Sequence, residues 1–313
     1  MDNLTYSRVS GWEYYKAQDG ELTILFSEPV NTRFIKVKSY FDERDEDFEP
    51  VNKAEFKNKA EELIRVYYYV TDRLEEYDYD AGGNRVKSII SQRYSEIVDY
   101  EYYKNSSRLK SNGKYAYVYD DNGNLIEKGT DYTIAGDSVA IDFDGEEYWE
   151  YEYDLLDRLT TVRKNGTRVA NYTYNHKGLR IKKENVDTSI YYVFNLNDNI
   201  VYEQENSGYS EYIYVGGQHF ARVDGELLST ETTTYFYHTD HLGSTVLVTN
   251  TSADIVWSSE YTPFGSLTME EGEHGFQKAR KFTGKDLDED TGLYYYNARW
   301  YDAGIGRFTS ADT

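Results

Sequence analysis

His238-Thr-Asp-His241 is the tempting metal site of the chain. Two imidazoles and a carboxylate this close together are ligands that zinc accepts. The same string also reads as a β-hairpin tip, with Asp240 capping the turn and Gly243 ending it. Asp120-Asp-Asn-Gly-Asn124 and Asp142-Phe-Asp-Gly145 look like calcium loops, but neither has the spacing and closing Glu of an EF-hand. Hairpin turns account for both. Asp286-Leu-Asp-Glu-Asp290, an acidic loop before a Gly-containing turn, reads the same way. No Gly-x-Ser-x-Gly elbow occurs to activate a serine. Gly304-Ile-Gly306 lacks the third glycine and the βαβ setting of a dinucleotide loop. There are no cysteines, so disulfides, thiolate ligands and cysteine nucleophiles are excluded. No catalytic, cofactor-binding or metal-binding residue is assigned. No cofactor is expected, and the chain reads as non-catalytic.

The elements that would position these residues are announced by tyrosine, 35 of 313 residues. Such aromatic content excludes disorder despite a mean hydropathy of -0.79. Tyr has an apolar ring and a polar tip, which suits a strand with one packed face and one wet face. Proline, which cannot donate to a ladder, occurs three times. The length allows one large domain or two small ones. A net charge of -22 argues against nucleic acid and anionic membrane surfaces. No apolar run is long enough to span a bilayer. Met1-Asp-Asn-Leu-Thr-Tyr6 has neither the basic nor the apolar part of a signal peptide. Either export does not use one, or the chain is a piece of a longer protein.

Three regions follow. Residues 1–66 carry no repeat. Leu22–Phe26 reads as a strand, Glu28-Pro29 as a turn, Arg33–Lys38 as an alternating strand and Asp42–Glu49 as an acidic loop. Residues 53–66 are the best helix candidate, because Ala, Glu and Lys favour helix, although Phe56, Leu63, Ile64 and Val66 fit a helical stripe loosely. Residues 67–265 repeat. Tyr77-Asp-Tyr-Asp-Ala-Gly-Gly-Asn-Arg-Val86, Tyr117-Val-Tyr-Asp-Asp-Asn-Gly-Asn-Leu-Ile126, Tyr151-Glu-Tyr-Asp-Leu-Leu-Asp-Arg-Leu159 and Tyr172-Thr-Tyr-Asn-His-Lys-Gly-Leu-Arg-Ile181 share one pattern. It is Tyr-x-Tyr-(Asp/Asn), a short turn, then an alternating apolar strand. Weaker copies start at Tyr192, Tyr212 and Tyr235.

Within each copy, Tyr-x-Tyr puts both rings on one strand face. The Asp or Asn starts the turn by accepting from amides two residues on. Each copy is then a β-hairpin, giving seven. Single hairpins are marginal in water, so they must pair side by side into one sheet. The array is therefore mainly β, an expanse of antiparallel hairpins with a small α/β or β portion before it.

These repeats resemble the YD repeats of bacterial Rhs and wall-associated proteins, of the Tc-toxin BC cocoon and of teneurins. The ending resembles the Rhs repeat-associated core. It runs His238-Thr-Asp-His-Leu-Gly-Ser-Thr245, Tyr261-Thr-Pro-Phe-Gly265, Phe282-Thr-Gly-Lys-Asp-Leu-Asp-Glu-Asp-Thr-Gly-Leu-Tyr-Tyr-Tyr-Asn-Ala-Arg-Trp-Tyr-Asp302, then Gly306-Arg-Phe-Thr-Ser-Ala-Asp312. The resemblance implies a curved or spiralling sheet, part of a hollow shell around a C-terminal toxin or effector. It implies a secreted or cell-surface protein that encapsulates, displays or delivers such a cargo. Cargo and the remaining shell segments are then the expected partners. The family's self-cleavage motif continues past the equivalent of Asp312 through proline to a second Asp. Here only Thr313 follows, so self-cleavage is not expected, because one carboxylate cannot do the work of a pair. Residues 266–313 are thus read as the core signature, truncated before that motif. Val30–Lys38 loosely resembles the closing strands of a discoidin-like carbohydrate-binding sandwich. The alternative function is a surface module that holds carbohydrate or mediates adhesion through its Tyr faces.

Overall fold

The computed structural model describes residues 12–16, 22–26, 53–57, 63–67, 74–91, 95–272 and 280–312. The chain divides into two compact units, Met1–Tyr77 with Ser88–Ile97, and Asp78–Lys87 with Val98–Thr313.

In the first unit, Trp12–Lys16, Leu22–Phe26, Lys53–Lys57 and Leu63–Tyr67 form a four-stranded sheet. The strand expected at Leu22–Phe26 is present. The helix expected over residues 53–66 is not. Lys53–Lys57 and Leu63–Tyr67 pair antiparallel there, Lys53 opposite Tyr67 and Lys57 opposite Leu63. Ala, Glu and Lys give only a weak helical bias per residue. Pairing between Phe56 and Ile64 and between Ala54 and Val66 overrides it. The turn at Glu28-Pro29, the strand at Arg33–Lys38, the sandwich-like Val30–Lys38 and the loop at Asp42–Glu49 lie outside the described residues.

The second unit is built on a 16-stranded sheet in which neighbours in sequence are neighbours in space. The Tyr132–Ala135 and Ser138–Ile141 hairpin is the one detour, leaving the sheet between Leu125–Gly129 and Tyr148–Tyr153. The mainly β, antiparallel hairpin array expected from the repeats is therefore what forms.

Each turn shows why it needs its Asp or Asn. Asn175 Oδ1 accepts from the N–H groups of Lys177 (2.9 Å) and Leu179 (3.0 Å). Asp80, Asp154, Asn195 and Asp240 do the same to the residues two and four ahead. The backbone closes in parallel, as when Asn175 N donates to Leu179 O and Gly178 N to Asn175 O. Asn175→Ala deletes both side-chain bonds and leaves the strands intact. It is expected to lower stability by about 1–2 kcal/mol, read from the urea midpoint at unchanged m-value. A loss under a few tenths would show that the turn forms without its cap.

Two copies depart from the reading above, and one further turn joins them. The Tyr212 copy closes on Gly216 and Gly217, both at positive φ, with Val215 opposite Gln218. Such a two-residue turn needs no Asx cap. The Tyr235 copy is two residues out of phase, because its turn is anchored on Asp240. Tyr237 is the buried ring there, and Tyr235 is half-buried. Thr262–Ser266 adds a turn of the same kind, with Thr262 Oγ1 accepting from Ser266 N at 3.1 Å.

One irregularity recurs. In each repeat hairpin with this turn for which the pairing register is known, it slips by one residue next to the second ring position. Val118 pairs Glu127 while Tyr119 pairs Leu125, so Ile126 is the extra residue of a β-bulge. The same slip falls beside Tyr153, Tyr174, Phe194, Thr239 and Tyr261. It shifts the return strand's phase, so the two return residues opposite the ring positions are three apart instead of two.

From Tyr117 onward the first ring of each pair is the core. Tyr117, Tyr151, Tyr172, Tyr192, Tyr212 and Tyr237 are all buried. In several hairpins the second ring clasps the preceding hairpin through its hydroxyl. Tyr174 OH donates to Leu159 O (2.6 Å), Tyr214 to Ile200 O (3.0 Å) and Tyr261 to Thr245 O (2.9 Å). This tip bond explains why the second position favours Tyr.

The face that carries these rings is covered by residues 280–312. They supply a meander of Asp286–Asp288, Leu293–Tyr296, Arg299–Asp302 and Arg307–Phe308. Leu293, Tyr295, Trp300 and Ile305 pack into one cluster with Leu109, Tyr117, Leu125, Tyr151, Leu159 and Tyr172. The unit bends enough for distant hairpins to meet, since the Arg85 guanidinium lies 4.6 Å from the Phe264 ring centroid.

Candidate functional site

The bulge creates the site. Each return strand turns two side chains onto the ring face, the fifth and eighth residues after the turn Asx. The pairs are Leu159/Val162, Arg180/Lys183, Ile200/Glu203 and Thr245/Val248. In the Gly-Gly hairpin the equivalent pair is His219/Arg222. The lining is thus apolar around Tyr151 and strongly charged from Tyr172 to Tyr212.

Residues 280–312 answer this lining group by group. Arg85 Nη2 donates to Ile305 O at 2.6 Å. Lys128 Nζ meets Asp302 Oδ2 at 3.0 Å. Lys183 Nζ bridges Asp288 (2.7 Å) and Asp290 (2.6 Å). Glu270, in the sheet's end strand Leu267–Gly272, takes Lys281 at 3.0 Å. The bulges add backbone donors, because the amide beside the extra residue is released from the ladder. Leu125 N donates to Thr309 O (2.7 Å), Arg180 N to Tyr295 OH (2.8 Å) and Thr245 N to Lys281 O (3.3 Å).

Arg180 sits at the centre, 2% exposed. Its guanidinium lies 4.4 to 5.9 Å from the ring centroids of Tyr172, Tyr192, Tyr295 and Trp300. Asp286 Oδ2 is 3.3 Å and Asp288 Oδ2 is 4.0 Å from its terminal nitrogens. Burial alone would make the cation easier to discharge. Tyr192, Asp286 and Asp288 outweigh it and raise the pKa. Asp288 also accepts from Tyr172 OH at 2.7 Å. The string Asp286–Asp290 reads in the sequence as an acidic loop before a Gly-containing turn. Its Asp288 does cap the turn, accepting from Asp290 N at 3.1 Å, and is in addition a buried ion-pair hub, because the charged lining faces it.

Two close Gly positions let the segment seat. A Cβ at Gly265, where φ is +93°, would fall 2.3 Å from the Phe282 ring. At Gly306 it would fall 2.8 Å from the Phe264 ring.

The tempting ligand cluster is dispersed. Asp240 is engaged with its turn amides, and His238 Nε2 lies 3.1 Å from Thr249 Oγ1 on the exposed side. Among the described residues, no three His, Cys, Asp or Glu side chains gather as a metal site. Asp120 and Asp142 likewise accept from their own turn amides. Asp312 is exposed and pairs Arg299 at 3.4 Å. No described helix is long and apolar enough to cross a membrane.

A family model described as Teneurin YD-shell matches residues 52–313. The chain is 30% identical over 244 residues to the tRNA3(Ser)-specific nuclease WapA of Bacillus spizizenii, covering 76% of this chain and 9% of that protein. It is 26% identical over 279 residues to the double-stranded DNA deaminase toxin A of Burkholderia cenocepacia, covering 77% of this chain and 17% of that protein. Among solved structures, the Tc holotoxin pore of Photorhabdus luminescens aligns with 76% of this chain and 12% of its own at 16% identity and a TM-score of 0.47. The chain thus spans less than a fifth of the length of these curated relatives.

Proposed function

Because the chain belongs to the teneurin YD-shell family, we propose that it is a non-catalytic section of shell wall that helps enclose and deliver a C-terminal toxin or effector. The observation that carries this reading is the docked segment, residues 280–312. It is bonded to successive hairpin turns from Asn84, which accepts from Arg307 at 2.9 Å, to Gly265, whose carbonyl accepts from Tyr294 OH at 3.0 Å. A wall section whose own continuation is fixed across its inner face would start the following polypeptide inside the shell. Relatives named as a tRNA nuclease and as a DNA deaminase toxin fit the same role. In this reading the protein acts outside the cell that makes it, and its partners are the cargo and the rest of the shell.

The carbohydrate or adhesion alternative needs exposed ring pairs. From Tyr117 to Tyr237 the first rings are buried, and Tyr174, Tyr214 and Tyr261 are tied to a neighbouring hairpin, which leaves Tyr77 and Tyr79 as the open pair.

The test is protease protection in the complete gene product. Polypeptide following this section is expected to survive protease concentrations that digest the same polypeptide expressed alone. Equal digestion rates would sink the enclosure reading.

A further inference from the structure

We propose that a cleft lined by His219, Arg280, Lys285, Tyr214, Gln218 and Asp286 is a binding site for a carboxylate group, gripped by the side edge of the Arg280 guanidinium.

The cleft measures about 270 Å³, which suits an acidic side chain or a small organic acid better than a drug-sized molecule. Arg280 and His219 are each 8% exposed. Arg280 spends Nη1 on Asp286 Oδ1 at 3.3 Å. Its Nε and Nη2, and both ring nitrogens of His219, have no hydrogen-bond partner. Buried polar groups are nearly always partnered, so four such atoms on two side chains in one cleft point to a ligand.

The atoms left over define the ligand's chemistry. Nε–H and the adjacent Nη2–H project side by side from one edge of a planar guanidinium, the fork that takes both oxygens of a carboxylate. His219 is a neutral neighbour. Burial, then Arg280 and Arg222, push its pKa down to about 2. It therefore offers one N–H and no charge. Two bases and two acids line the cleft, and the acid Asp198 is held by Lys177 at 3.2 Å. Lys285 is made easier to discharge by burial and by Arg280, and Asp286, the acid that pairs Arg280, is shared with Arg180 at 3.3 Å. A divalent cation would meet two cationic side chains here, Arg280 and Lys285.

The carboxylate could arrive on polypeptide or as a free acid, and two arms separate these sources. The full chain is melted near pH 7 in about 100 mM sodium acetate, in sodium chloride of equal ionic strength, and with a short neutral-ended peptide carrying one Asp or, as control, one Asn. Acetate is expected to raise the midpoint by about 3 °C over chloride, as weak millimolar binding to the native state would. A larger rise per mole with the Asp peptide assigns the site to polypeptide. An equal or smaller one assigns it to free acids.

Arg280→Lys keeps the charge and removes the fork, so its acetate shift is expected to vanish. His219→Phe keeps a ring against Tyr237, 3.9 Å away between centroids, and is expected to weaken the shift. If Arg280→Lys does not fold, His219→Phe carries the test. No acetate shift in the natural sequence, or an undiminished shift in both variants, overturns the proposal.

Discussion

Raising the pH from about 9 to about 12 is expected to unfold the chain in one cooperative step centred near pH 11. The cause is the row of buried first rings. Tyr117, Tyr151, Tyr172, Tyr192, Tyr212 and Tyr237 each have the phenol pKa raised, first of all by burial. A raised folded pKa gives stability that is complete below the unfolded value, about 10, and is lost as pH climbs above it toward the folded value. Each phenol held protonated then costs about 1.4 kcal/mol per pH unit. At pH 11 the row together costs about 8 kcal/mol, comparable with the whole stability of a typical domain, about 5–15 kcal/mol. Phenolate absorbance and far-ultraviolet circular dichroism should change together. Gradual ionisation with the β spectrum intact at pH 12 would contradict the burial described above.

Asp288→Ala is expected to cost about 3–5 kcal/mol and to release residues 280–312 from the sheet. Asp288 is 3% exposed and accepts from Lys183 Nζ at 2.7 Å and Tyr172 OH at 2.7 Å. Removing it leaves Lys183 with Asp290 alone and Arg180 with Asp286 alone, both cations still buried. An uncompensated buried charge is what makes a half-deleted ion pair expensive. Adding Lys183→Met to Asp288→Ala should therefore recover part of the loss, which the urea midpoints of the four-member cycle will report. Limited proteolysis supplies the second readout, with new cleavage after Arg299 or Arg307 in Asp288→Ala. Additive costs, or an unchanged cleavage pattern, would mean that the hub does not hold the segment.

Much of the fold was legible from local chemistry. Asp, Asn and Gly at turn positions act within a few residues, so the hairpins could be placed without knowing their neighbours. Pairing of adjacent hairpins followed, because none is stable alone. The phase of the Tyr235 copy was misjudged because three aromatic positions in a row, Tyr235, Phe236 and Tyr237, hide which ring precedes the turn by three. Asp240 was the better marker.

The site was less legible, for a different reason. Arg180, Lys183, Glu203 and Arg222 are charged strand residues, which on average face water. Alternation counted straight along the return strand cannot locate the inner face, since the bulge changes its phase. Counting five and eight from the turn Asx finds each pair outside the Gly-Gly hairpin. Even then, only the long-range partner says whether a charge is buried, and Asp288 lies 105 residues from Lys183.

The recurrent bulge separates frame from content. Leu159/Val162 and Arg180/Lys183 occupy the same two places in hairpins with the same turn, the same slip and the same ring positions. Nothing in the frame depends on which pair is installed. The inner lining therefore behaves as a short text with two letters per hairpin, editable one hairpin at a time. A chain built this way could alter what it holds without altering how it folds.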